Sequence, residues 1–376
     1  MEDGVTRSRG HAVARRTGSG LRAYTMFFAL AAIWIFFQWR TVSDLYPYGL
    51  FLHPLNFANL LKQMSVTGVL AVGMLLVIVA RQIDLSVGSL VGLAGGVAAM
   101  TQGYGLAASL ASAIAIGVAA GALQGALAAR ANIPAFIVTL GGLLTWRGVI
   151  LYLSKGETIP IRLPLFRSLG VSLVHPAAGL ALAAIASAFV TWRSLRRRAS
   201  PARLVLPPAL MFLFVAHMNL QGGVPLPVLV LVVVALIGAV VTRNTTFGRY
   251  LYAIGSNPEA ARLSGINIER HILGAFCFLG ALTGVAAILH TGRVGSSSPD
   301  AGSLMELDAI AACVIGGTSL MGGRGTVSGA LLGALIMASL DNGMSLLSVE
   351  NATQYIIKGA VLVAAVGFDM AGRRRE

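Results

Sequence analysis

Apolar stretches of roughly 20 residues follow one another through nearly the whole chain, separated by short polar turns, and this pattern leaves few folds open. Inside a bilayer the backbone N–H and C=O groups find no water. A run such as NLLKQMSVTGVLAVGMLLVIVA must therefore satisfy them within itself, as an α-helix. Reading along with a window of about 20 residues predicts spans near 22–39, 59–80, 83–100, 105–129, 133–153, 174–192, 204–220, 224–242, 271–290, 306–320, 326–342 and 353–370. That is twelve spans, or 10 to 12 where short, glycine-interrupted ones are re-entrant. The expected fold class is all-α, a polytopic transmembrane helical bundle. Charged residues make up 11% of the chain, against about 25% in an average soluble domain, which sets it apart from soluble proteins.

The net charge of +14 does not point to nucleic acid, because the basic residues form short clusters at span ends with no continuous basic surface interleaved with aromatics. With the amino terminus inside, the cytoplasmic segments collect Arg7, Arg9, Arg15, Arg16, Arg22, Arg81, Arg130, the cluster from Arg193 to Arg203, Arg243, Arg249, Arg262, Arg270, Arg324 and Arg373 to Arg375. The outside keeps only Arg40, Lys155, Arg162, Arg167 and Arg293, and Lys62, Arg147 and Lys358 fall within spans. This positive-inside bias predicts cytoplasmic basic tails at 1–21 and 371–376 around a transmembrane domain at 22–370, with both termini and the loop 243–270 in the cytoplasm. The apolar run after Arg22 lacks a small-residue cleavage site, so it reads as a first span and not a cleaved signal. Cys277 and Cys313 lie in apolar surroundings and read as small buried hydrophobes, without a disulfide framework.

One polar interruption stands out, Tyr250 to Arg270 (YLYAIGSNPEAARLSGINIER). Asn257 suits an N-cap, Pro258 the first helical position, Glu259 the first turn where it favours the helix dipole, and Gly265 a left-handed stop. The punctuation predicts a short helix over 258–264. At about 10 Å it is too short to cross a membrane or to persist alone in water, so neighbours or a docked protein must hold it.

Glycines recur at helical spacing as Gly88, Gly92 and Gly96, as Gly117, Gly121 and Gly125, and as Gly325, Gly329 and Gly333. Each set is expected on one helix face, where small residues let backbones approach closely in lipid; smooth faces that slide during transport are the other reading. The helical pattern breaks at QIDLSVGS from Gln82 and at GGTSLMGGRG from Gly316. A charge near the bilayer centre is costly, so Asp84 is expected to face protein, water or a cation such as Arg81, as a cap for the third span or as part of a transport path. Arg147, Glu306, Asp308, Asp341 and Lys358 are further embedded charges that can pair across helices. The chain has no G-x-x-x-x-G-K-[ST] phosphate loop, no H-E-x-x-H, no C-x-x-C and no G-x-S-x-G, and its six histidines lack metal-ligand spacing. No catalytic centre stands out, and no cofactor is expected on this chain.

Four segments in order, NLLKQMSVTGVLAVGMLLVIVARQIDLSVGSLVGL from Asn59, IPAFIVTLGGLLTWRGV from Ile133, FGRYLYAIGSNPEAARLSGI from Phe247 and AACVIGGTSLMGGRGTVSGALLGALI from Ala311, resemble the membrane-spanning permeases of bacterial ABC importers for monosaccharides. The stretch 174–220, an additional pair of spans around a basic loop, is most similar to the xylose type. The resemblance implies an inner-membrane permease, paired as a homodimer or with a similar permease. It also implies a separate cytoplasmic ATPase that carries ATP and Mg, and a periplasmic binding protein that delivers the sugar. It implies that Asn257, Pro258, Glu259, Ala260, Ala261, Arg262, Leu263, Ser264 and Gly265 form the coupling helix that docks on the ATPase. Candidates for the sugar path are Asp84, Ser86, Asn132, Thr139 and Ser319. Arg81-Gln82 departs from the family pattern, which has glycines before the Ile83-Asp84 position. An ion-coupled secondary transporter is also a helical bundle with embedded carboxylates, but the capped helix and the four segments speak against it. A polytopic membrane enzyme would need an acidic or histidine cluster at an interface, whereas the outside segment 154–174 offers Glu157 as its only carboxylate.

Overall fold

The computed structural model describes residues 25–131, 133–196 and 200–373. The predicted tail 1–21, the end of the tail 371–376, Asn132 and the pair Arg197 and Arg198 lie outside the described residues. In chain order the helices are α1 (Thr25–Arg40), α2 (Pro54–Val79), α3 (Val87–Met100), α4 (Leu106–Arg130), α5 (Ala135–Ser154), α6 (Pro164–Val171), α7 (Pro176–Arg196), α8 (Pro201–Asn219), α9 (Leu226–Asn244), α10 (Thr246–Ser256), α11 (Pro258–Leu263), α12 (Ile268–Val294), α13 (Met305–Ile315), α14 (Val327–Leu346) and α15 (Asn351–Arg373). Two antiparallel ribbons, β1 (Ile159–Pro160) with β4 (Ser296–Ser297) and β2 (Leu173–Val174) with β3 (Val224–Pro225), tie connections together at the end of the bundle opposite α11.

Among the described residues, seven helices are long and apolar enough to cross a membrane: α2, α4, α5, α7, α9, α12 and α14. Helix length does not support all twelve predicted spans. α3 has 14 residues and α13 has 11, so they reach only about 21 and 16 Å at 1.5 Å per residue, well short of a hydrocarbon core of about 30 Å. The predicted span 83–100 loses its first residues to a turn closed by the Asp84 side chain. The predicted span 306–320 stops where Gly317, Gly322 and Gly323 take left-handed φ of +83°, +80° and +71°, a conformation that glycine adopts without steric cost.

α2 lies at the centre, buried along most of its length from Leu60 to Ala80, with α12, α14, α13 and α9 packed around it. α4 lies along α12 in the most extensive helix pair of the bundle. Glycine makes that pair possible. A Cβ on Gly117 would run into the Gly280 carbonyl and a Cβ on Gly280 into the Gly117 carbonyl; Gly121 faces the Phe276 carbonyl, and Gly125 lies against Phe276 and Leu273. Gly329 and Gly333 bring α14 onto the backbone of Gly316 and Ala312 in the same way. Gly88 and Gly92 lie against Gly302 and Ala301, and Gly96 against the Ile150 side chain.

Gly325 departs from the expected ladder. It precedes Thr326, the N-cap of α14, and so lies in a turn and not on the face of Gly329 and Gly333. Polar clasps lock the remaining central contacts: Asn56 on α2 and Asn342 on α14 exchange amide hydrogen bonds of 2.8 and 3.1 Å, and Trp34 Nε1 on α1 donates to Ser339 Oγ at 3.0 Å. α7 and α8 form a hairpin at the periphery, packed chiefly on each other. Cys277 and Cys313 are unpaired, and the Cys313 thiol donates to the Ala71 carbonyl.

Because Gly117 meets backbone, Gly117→Leu is expected to push α4 off α12 and lower stability by at least about 1–3 kcal/mol. Gly141→Leu, at a site with nothing within 4 Å, is expected to be tolerated. Thermal unfolding of the purified protein in detergent, followed by fluorescence, checks both; equal midpoints would refute the close backbone contact.

Candidate functional site

α11 is six residues long and finished at both ends. Asn257 Oδ1 accepts from the Ala260 amide at 3.1 Å, Pro258 fills the first position without an amide to strand, and Glu259 lies in the first turn. At the other end Gly265 takes φ +80°. Its amide donates to Arg262 O at 3.0 Å and that of Ile266 to Ala261 O at 3.1 Å, the paired bonds of a Schellman stop. Only Ala261 faces the protein; Glu259, Ala260, Arg262, Leu263 and Ser264 are exposed. Leu263 is 81% exposed, although a buried leucine side chain gains about 1.5–3 kcal/mol over an exposed one in water. Arg249, Glu269 and Arg270 are exposed nearby in sequence, so the surroundings are predominantly cationic.

Three elements meet beneath the start of α11. The carbonyls of Gly255 and Ser256, at the end of α10, accept from Arg81 at 2.6 Å (Nε) and 3.0 Å (Nη2), and Arg81 Nε also reaches Met321 O at 2.8 Å. The Gly323 amide donates to Val79 O at 2.9 Å, and Tyr252 on α10 donates its hydroxyl to Gly325 O at 2.8 Å. α10 approaches so closely that a Cβ on Gly255 would overlap the Val79 carbonyl. The last turn of α2, the end of α10 and the turn between α13 and α14 thus form one base for α11.

Of the predicted path residues, the structure brings three together. Asp84, 2% exposed, accepts on Oδ1 from both the amide and the hydroxyl of Ser86, each at 2.7 Å. Thr139 on α5 donates to Ile83 O at 3.2 Å. Gln124 on α4, 1% exposed, ties this group to α4, its Nε2 donating to Ser86 Oγ at 2.8 Å. Sequence reasoning passed over Gln124, whose signal was a lone amide set between Gly121 and Gly125. Ser319 lies elsewhere: its hydroxyl accepts from the Met321 amide at 3.1 Å and shapes the α13–α14 turn. Arg81 is not the partner of Asp84, because its guanidinium is taken by the three carbonyls.

The embedded charges sort into two sets. Lys358 on α15 bridges Asp308 on α13 at 3.1 Å and Asp341 on α14 at 2.9 Å. Arg147 on α5 instead binds the carbonyls of Pro299 and Ala301 and the Ser303 hydroxyl, so it joins α5 to the α12–α13 connection and not to a carboxylate. The Glu306 carboxylate lies against Gly88 at the start of α3.

The chain matches, over residues 56–366, the family described as branched-chain amino acid transport system / permease component. It is 43% identical to the xylose transport system permease protein of Escherichia coli (strain K12) over 373 residues, which is 95% of this chain and 93% of that one. It is 42% identical to the xylose transport system permease protein of Haemophilus influenzae over 94% of this chain and 98% of that one. Identity to the ribose import permease protein of Escherichia coli (strain K12) is 35%, over 84% of this chain and 85% of that one. No solved structure matches significantly.

Removing the ammonium of Lys358 leaves the buried carboxylate of Asp308 and the half-buried one of Asp341 without their cation, so Lys358→Met is expected to cost about 1–3 kcal/mol, less than a fully buried pair. Adding Asp308→Asn and Asp341→Asn is expected to restore most of that stability. Thermal midpoints of the single and triple variants in detergent check the pair of outcomes.

Proposed function

Because the chain belongs to the branched-chain amino acid transport system / permease component family, a family of transport subunits, we propose that it is the membrane-spanning subunit of an ATP-driven sugar importer. Its relatives at 42 and 43% identity are named as xylose permeases, which supports a pentose such as xylose as the sugar. In this reading two copies form the pathway in a bacterial inner membrane, with both termini cytoplasmic. A periplasmic binding protein delivers the sugar, and a separate ATPase holds ATP and Mg and performs the hydrolysis.

One observation carries the mechanism: a helix too short to be stable alone is capped at both ends, anchored by Ala261 and left with its charged and apolar side chains outward. A surface built in this way suits docking. Leu263 supplies an apolar knob for a cleft on the ATPase, Glu259 and Arg262 supply ion pairs on either side of it, and the surrounding arginines favour an acidic rim on the partner. Closure of the ATPase pushes on α11, and the base beneath it passes the displacement to α2, α3 and the α13–α14 turn. Asp84 and Ser86, bound to each other, and Thr139, bound to the Ile83 carbonyl beside them, stand in that route as structural links whose rearrangement opens or shuts a path.

The experiment reconstitutes this chain in proteoliposomes with an ABC ATPase and a sugar-binding protein from the same organism, and measures ATP hydrolysis against a panel of pentoses and hexoses. Xylose-loaded binding protein is expected to stimulate hydrolysis. Leu263→Ala is expected to weaken assembly with the ATPase by about tenfold or more, and Glu259→Ala with Arg262→Ala to abolish the stimulation. Uptake that follows an ion gradient, with no ATPase bound, would overturn the proposal.

A further inference from the structure

Arg81 occupies a backbone position that favours glycine. It follows Ala80, the C-cap of α2, with φ +62°. Its amide donates to Ile78 O at 2.9 Å and that of Gln82 to Val77 O at 3.0 Å, so Arg81 is the left-handed residue of a Schellman stop. A side chain there is strained relative to glycine, and this one extends across two other chain segments.

What it reaches is specific. The Gly255 and Ser256 carbonyls belong to the last turn of α10, where carbonyls lack helical partners and the helix dipole favours a cation. The third acceptor, Met321 O, lies in the α13–α14 turn. A guanidinium presents its donors in a rigid fork, whereas an ammonium on the same stem would be a point charge. Ser256 immediately precedes Asn257, the cap of α11, and Asp84 lies three residues after Arg81. Arg81 therefore stands between the exposed helix and the buried Asp84–Ser86–Gln124 contacts.

We propose that Arg81 is a positioning residue that clamps the root of α11 to the start of the α2–α3 connection, so that displacement of α11 is delivered to the buried polar contacts instead of being absorbed at the loop. This rests on the reading of α11 as the ATPase-docking helix. A purely local role predicts that glycine, which relieves the φ strain, leaves function intact. The clamp predicts the opposite: a well-folded protein that transmits poorly.

Arg81→Gly and Arg81→Lys are compared with wild type in the same proteoliposomes, with sugar transported per ATP hydrolysed as the readout. For Arg81→Gly the ratio is expected to fall about fivefold or more, while the permease still co-purifies with the ATPase. Arg81→Lys is expected to fall as well, because lysine has a methylene where Arg81 Nε donates to the Gly255 and Met321 carbonyls. Recovery by lysine alone, with weaker ATPase binding by glycine, would make Arg81 a docking charge and overturn the clamp. A wild-type ratio in Arg81→Gly would also overturn it. Failure of wild type itself to engage the ATPase would remove the docking reading and this inference together. Independently of any ATPase, spin labels at Leu263 and Met321 in the permease alone are expected to give a narrow distance distribution that broadens in Arg81→Gly; identical distributions would refute the clamp.

Discussion

A helix that stops inside a bilayer leaves its terminal amides or carbonyls with no water to bind, and α3 and α13 are both apolar and too short to cross. The protein has to supply every missing partner, and the structure around α3 and α13 follows from that demand. Ahead of α3 the chain folds into a turn whose donors are met by the Asp84 carboxylate. After α13 the Gly317 amide donates to Val314 O and that of Thr318 to Cys313 O, while Ser319 and Arg324 close the next turn through a backbone bond of 2.9 Å. The two breaks meet other backbone directly: Gly88 at the start of α3 lies against Gly302 before α13, and Gly316 after α13 lies against Gly329 on α14. Close backbone approach and polar satisfaction are thus one problem at these points, which is why glycines and short polar side chains alternate there.

The same constraint divides the molecule into parts that hold and parts that move. α4 and α12 are tied by interdigitated glycines, and α2 and α14 by the reciprocal amides of Asn56 and Asn342, contacts that do not deform gradually. α11 has no such store of contacts of its own. Its six residues are positioned by what lies under Ala261 and by the cap that grows out of α10. A push on α11 under the proposed role therefore travels by two routes, through α10 and the Tyr252–Gly325 bond toward α14, and through Arg81 toward α3. Both begin at one end of the bundle, and Gln124 and Thr139 connect the second to α4 and α5.

Much of this was legible in the sequence wherever the determinant was local. Asn257, Pro258 and Gly265 delimit α11 almost to the residue, because caps and stops act over a single turn. The faces of Gly117, Gly121 and Gly125 were legible because helical spacing alone places them together. What depended on the partner was not legible. Apolar character continues through Ile83 and Leu85 into α3, so hydropathy extends a span across a turn that only the Asp84–Ser86 contact reveals. Gly325 keeps the four-residue spacing of Gly329 and Gly333 but falls before the Thr326 cap, and spacing does not register where a helix begins. Lys358 was visible as an embedded charge, yet its attachment to Asp308 and Asp341 joins three helices whose relative placement the sequence does not encode locally.

Schellman stops recur at the helix ends of the described chain, with a non-glycine residue at the left-handed position not only after α2 but also after α5 (Lys155, φ +54°) and α14 (Ser348, φ +52°), and comparing α2 with α11 and α13 separates backbone need from side-chain use. α11 and α13 place Gly265 and Gly317 at the left-handed position, and in both cases a Cβ there would meet nothing within 4 Å. Space is not the reason for glycine at these two sites; the positive φ is. α2 makes the same turn with Arg81 at φ +62°, accepting a conformation that costs an L-residue roughly 1–2 kcal/mol. Hydrogen bonds to a charged group contribute about 1.5–3 kcal/mol each when well formed, less where solvent reaches them, and this guanidinium reaches three main-chain oxygens through two N–H donors, Nε sharing its hydrogen between Gly255 O and Met321 O. The balance favours arginine only because the end of α10 and the α13–α14 turn are brought within its reach. The residue that breaks the local preference at the end of α2 is thus explained by the long-range contact, and that contact lies at the root of the one exposed, self-capped helix in the described chain.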